Sequence, residues 1–133
     1  MSISTRWYDD QHKVIILKFE GNWDWDDLSA SQVEENKLAA TVGYNLVAFV
    51  DMSQTNMLPK GNILANGRIS IGKVPDNVAQ IIVLFQSRAI EVFVGLVVEM
   101  MPKWRNRVHV TQSAEEAQRL IAEAVAKNSV APS

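Results

Sequence analysis

The chain has no cysteine among its 133 residues. A disulfide framework, a thiolate metal site and a cysteine nucleophile are excluded together, and the composition fits a cytoplasmic protein. Histidine is scarce. His12 falls in a polar stretch between two strand-like segments and His109 stands among arginines, neither with a partner at metal-ligand spacing. No glycine-rich phosphate loop follows a strand, so neither metal nor cofactor is expected. Charge of one sign is also missing: 13 Lys and Arg against 15 Asp and Glu leave a net charge of −2. Nucleic acid is therefore not the default partner. Long hydrophobic runs are absent too. The most apolar segment, Ile90 to Met101, is too short to span a bilayer and holds Glu91 and Glu99. The opening MSISTRWYDD lacks the charged-then-apolar pattern of a secretion signal.

What is present is a 47% hydrophobic composition in a length that fits one domain, able to bury roughly two-thirds of its unfolded surface. We expect that domain over residues 1–127, with 128–133 fraying as a tail. Ser4 to Tyr8 and Lys13 to Glu20 read as strands of a hairpin whose loop, DDQH, has no glycine to fix its turn type. Asp24 can cap the helix that follows. Asp27 lies near its positive end, Trp23 and Leu28 have hydrophobic-staple spacing, and Leu28, Val33, Leu38 and Val42 supply an approximate apolar side ending at Gly43. A strand from Asn45 to Met52 comes next, short, β-branched and aromatic enough to be covered on both faces.

Ile63 to Gly72 reads as a helix weakened by its glycines, and QIIVLFQ from Gln80 to Gln86 as a buried strand. Ser87 can cap a helix reaching Pro102, although the alternation of Ile90, Val92 and Val94 leaves a strand as the alternative. Arg107 to Thr111 is a short strand. Ser113 with Glu116 forms a capping box for a last helix whose Ala117, Leu120, Ile121, Ala124 and Val125 share one face. The expected fold is α/β: one mixed sheet of about five strands, an N-terminal hairpin followed by βα units, with no internal repeat and no linker.

The hairpin, the WDWDDL helix start, the VDMS strand end and the closing VTQSAEEAQRLI together resemble the STAS family. They are most similar to its SpoIIAA-like, SEC14-related bacterial branch. The resemblance implies a module for protein–protein regulation, or for binding a lipid or small ligand, rather than a catalyst. In signalling members the loop after the middle strand carries an Asp-Ser pair with the phosphorylated serine; the corresponding stretch here, NMLPKGN, lacks it.

Two candidate sites follow. The loop after the middle strand offers Asp51, Ser53, Thr55 and Lys60 as a recognition edge, with Ser53 or Thr55 as the phosphate acceptor; alternatively Asp51 and Ser53 only satisfy turn amides. In the helix before Pro102, Arg88, Glu91, Gly95 and Glu99 form one narrow polar stripe, leaving more apolar face than one sheet can bury. Val92, Leu96 and Met100, with Trp104 beyond, are read as a ligand or dimer surface unless a neighbouring helix covers them. Trp23 is expected to pack inside and Trp25 at a rim. Lys103, Trp104, Arg105 and Arg107 are either an anion-binding cluster or a solvated connector. The adjacent carboxylates Asp9/Asp10, Glu34/Glu35 and Glu115/Glu116 point apart and are read as solvated faces rather than catalytic dyads. The expected function is a non-enzymatic interaction module working through an unknown protein partner or as a homodimer. The alternative is a small binder of a lipid or apolar metabolite. An enzyme using Asp51 is the remaining option.

Overall fold

The computed structural model describes residues 2–129. Its elements are β1 (Ile3–Trp7), β2 (Val14–Glu20), α1 (Trp25–Ala39), β3 (Leu46–Gln54), α2 (Ile63–Gly72), β4 (Val78–Phe85), α3 (Arg88–Met100), a 3-10 turn (Pro102–Trp104), β5 (Val108–Thr111) and α4 (Ala114–Ser129). The five strands form one α/β sheet in chain order, with β1 antiparallel to β2 and the other neighbours parallel. The strands at the two edges have 5 and 4 residues, the inner ones 7 to 9. Alternation along β3 explains its double burial. Leu46, Ala48 and Met52 join the core beneath α1, α2 and α3, while Val47 and Phe49 join a second core beneath α4.

Local chemistry sets the element boundaries. Asp24 accepts from the Asp27 amide at 2.7 Å, and Asp27 accepts from the Asp24 amide at 3.1 Å, a reciprocal capping box made by two aspartates. The Ser2 hydroxyl donates to the same Asp27 carboxyl at 2.7 Å. That bond, and then the Asp24 amide, hold this carboxyl below its ordinary value. At the far end α1 stops at Ala39, before the expected Val42. The Ala40 amide closes on Asn36, and the Thr41 hydroxyl donates to the Leu38 carbonyl at 2.6 Å, so the carbonyls are satisfied before Gly43 is reached. The hairpin turn lacking glycine is made by His12, which takes a left-handed φ of 55°. Its ring stacks on Trp7 with centroids 4.5 Å apart. In α4 the expected box is half formed. Ser113 caps the Glu116 amide at 3.1 Å, but the Glu116 carboxylate accepts from Thr111 instead of reaching back to Ser113. The helix also continues through Asn128 and Ser129, which were expected in the tail; the remainder of that tail lies outside the described residues.

Helix α2 packs on α3 at a point of close approach. A Cβ on the buried Gly67 would lie 2.6 Å from Val97 Cγ2 and 3.0 Å from the Phe93 ring. Two effects compete in Gly67→Ala: alanine gains up to about 1 kcal/mol of helix propensity, while overpacking costs roughly 1–3 kcal/mol. The expected result is a net loss of about 1 kcal/mol in urea denaturation. Equal or greater stability of the variant would show that α2 and α3 can separate at no cost.

Candidate functional site

The inward stripe of α1 follows the spacing Leu28, Gln32, Glu35, Ala39, as a helix laid on a sheet requires. Two of those four positions are polar. Gln32 is 5% exposed and Glu35 2% exposed, whereas Val33, expected on the apolar side, is 54% exposed. The solvated-face reading of Glu34/Glu35 is therefore corrected for its second member. Glu34 sits outside and pairs with Lys37 at 3.2 Å; Glu35, one residue or about 100° further round, points inward. The sequence signal for this was present in the spacing, masked by the polarity of the residues occupying it.

Gln32 and Glu35 face a pocket of about 140 Å³ that lies between the sheet and helices α1, α2 and α3 and opens to solvent. Its walls are almost wholly apolar. Leu17, Ala48, Val83 and Val97 are representative, and Trp23, Trp25 and Phe93 supply aromatic surface. Trp23 is buried and meets Trp25 edge-on at 5.2 Å; Trp25 is half-buried and meets the Phe93 ring at 6.0 Å, so aromatic contact links α1 to α3. The Trp25 indole N–H also donates to the Lys60 carbonyl at 3.1 Å, tying the β3–α2 loop to this wall.

Polar atoms in the cavity are few and incompletely matched. The Gln32 amide nitrogen donates to the Ser70 carbonyl at 2.7 Å, which fixes the orientation of the amide. Among the described residues its oxygen Oε1 has no partner, and neither does the buried Trp23 Nε1. Among the described residues no cation pairs with Glu35, and burial alone raises its carboxyl from 4.5 to about 7. A desolvated carboxylate without a countercharge is costly, so Glu35 keeps its proton up to about pH 7.

The other expected site residues fall elsewhere. Asp51 Oδ1 accepts from the Ser53 amide at 3.0 Å and from the Ser53 hydroxyl at 2.6 Å, a local turn arrangement at the end of β3. Thr55 is 4% exposed and its hydroxyl donates to the Gly21 carbonyl at 2.6 Å, so it faces inward rather than toward a kinase. Lys60 enters through its backbone, as the acceptor for Trp25. On α3, Val92, Leu96 and Met100 are exposed together at 47%, 44% and 38%. Trp104 is separated from them: it is 3% exposed within the core, because the 3-10 turn rotates it inward. Arg107 stacks over Trp104 at 4.8 Å and donates to the Ala79 carbonyl at 2.7 Å, binding that connector to β4. Among the described residues no group of three or more His, Asp or Glu is placed to hold a metal, and no helix is long and apolar enough to cross a membrane.

Glu35 has a measurable signature. Between pH 4.5 and about 7 the folded protein keeps a proton that the unfolded chain has lost, so stability falls as pH rises through that window and levels off above it. At about 1.36 kcal/mol per pH unit, the full effect is about 3 kcal/mol. We expect Glu35→Gln to be more stable than the wild type at pH 8 by up to that amount, about 3 kcal/mol, with the difference vanishing near pH 4.5. Denaturation curves across this range test it. A pH-independent difference between the two proteins would mean that Glu35 is solvated.

No protein-family model matches the chain, and no curated protein matches it in sequence.

Proposed function

We propose that the domain binds a small apolar metabolite in the cavity beneath α2 and α3. The observation that carries this reading is the apolar lining of the pocket, which sets aromatic walls around two buried polar side chains. Binding sites for small molecules have this character: mostly apolar lining with a few placed polar groups. Size narrows the ligand. A dry cavity of about 150 Å³ takes one benzene, and the volume here is about 140 Å³. A compact metabolite matches that volume, whereas a long acyl chain would have to extend out through the pocket mouth, so the compact ligand is favoured. The SEC14-like resemblance supports ligand binding in general, and the volume supports this narrower form of it.

The test uses toluene as the probe. Trp23 and Trp25 line the cavity, so binding changes tryptophan fluorescence and raises the melting temperature. Ala48 faces the same space and is 2% exposed. Ala48→Leu fills part of the cavity; it is expected to raise stability by about 1 kcal/mol and abolish the toluene response. A wild-type protein indifferent to saturating toluene, or an Ala48→Leu protein that binds it unchanged, would remove this reading.

The exposed row Val92, Leu96 and Met100 favours a second reading, in which the domain also acts by protein contact, including self-association. Light scattering during gel filtration is expected to show a dimer that Leu96→Glu converts to a monomer. A wild-type monomer at high micromolar concentration would leave α3 without that role.

A further inference from the structure

We propose that the ligand of this cavity is a small amine: a benzene-sized apolar body bearing one ammonium group, seated between the Glu35 carboxylate and Gln32 Oε1. The inference rests on the cavity being a ligand site. Its own support is the chemistry of the two unmatched groups. Gln32 and Glu35 stand three residues apart on one helix, so their Cβ atoms are about 5–6 Å from each other and both side chains reach the same region of the cavity. The amide of Gln32 is fixed by its bond to Ser70, leaving Oε1 as an acceptor and nothing else. An ionised Glu35 is also purely an acceptor. Two adjacent acceptors call for a donor with more than one N–H, and an ammonium group supplies three.

The charge argument is independent of the hydrogen-bond count. Among the described residues Glu35 is the sole titratable side chain lining the cavity; none of the lining residues from β2, β3, β4, β5, α2 or α3 ionises. Lys37, two residues along α1, is turned outward onto Glu34, and Lys73, which follows α2, reaches Ser29. A buried carboxylate here therefore has no protein countercharge and must be neutralised by a proton or by a cation from outside. A neutral ligand such as an alcohol is served equally well by glutamine at position 35. A cation alone gains from a carboxylate, because it displaces the proton and forms the ion pair that the fold omits.

The experiment compares three ligands with one body: toluene, benzyl alcohol and benzylamine, titrated calorimetrically into the intact protein at about pH 5.5 and about pH 8, at which benzylamine is protonated throughout. With a carboxyl titrating at about 7, the ionised fraction rises about 30-fold over that range and benzylamine affinity rises with it. Toluene affinity stays constant. In Glu35→Gln the rise for benzylamine disappears while toluene still binds, which shows that the variant keeps its cavity. Benzylamine binding no tighter than toluene or benzyl alcohol at pH 8, or an unchanged pH dependence in Glu35→Gln, overturns the amine. Silence of toluene and benzylamine alike overturns the cavity reading on which it stands.

Discussion

The architecture is governed by a mismatch of widths. Neighbouring strands are about 4.8 Å apart, whereas packed helices need about 8–10 Å between axes. In this chain β2, β3, β4 and β5 are parallel and adjacent in chain order. Crossovers of one hand that all step in the same direction must fall on the same face of the sheet. The shared core beneath α1, α2 and α3 reflects this. Three helices cannot lie flat over three strand intervals. Helix α1 escapes sideways over β1, to which Ser2 and Thr5 hold it through Asp27 and the Ser31 carbonyl. Helix α2 is carried on α3, at the level permitted by Gly67. The cavity lies where helices so displaced no longer reach the strands.

The gap makes the polarity of α1 tolerable. An inward glutamine and glutamate pressed directly against the sheet would have to be matched by strand side chains, and Ala48, Val50 and Val83 offer none. Facing a void, they keep unfilled hydrogen-bonding capacity at the cost of some stability. Natural cores avoid such positions unless something else requires them. The opposite face of the sheet shows the contrast: α4 covers it, with Ala117, Ile121 and Ala124 in one cluster with Val47, Phe49 and Ile82, and among the described residues no charged side chain is buried there. One face of the sheet is an ordinary core and the other is built around a space.

Much of this was legible in the residues, because local signals and tertiary demands agree there. The Asp24 cap, the Asn45–Met52 and Gln80–Gln86 strands and the apolar stripe of α4 each follow from short-range rules, and their order determines the mixed sheet. The candidate site was much less legible. Reading α1 by its hydrophobic residues selected Leu28, Val33, Leu38 and Val42, spaced by five and four. Leu28, Leu38 and Val42 do pack against the core, but Val33 is exposed, and the most deeply buried positions of the helix are Ser31, Gln32, Glu35 and Ala39, three of them polar. Hydrophobic periodicity cannot announce a buried carboxylate, since the pattern is defined by residues that are apolar. Trp104 was misplaced for a related reason. An aromatic among Lys103, Arg105 and Arg107 has the composition of a surface cluster, and only the 3-10 turn after Pro102 directs it inward.

The lengths of the strands bear on how copies of this protein can meet. The two longest stretches of β-branched and aromatic sequence, in β2 and β4, are interior and have their backbone groups taken on both sides. What remains open at the margins is one short strand at each end, β1 and β5. Brief margins are poor templates for a neighbour's backbone, and they protect the folded chain from growing sheet onto sheet into fibres. Association between folded copies is thereby channelled away from the main chain and onto side chains of the helical layer.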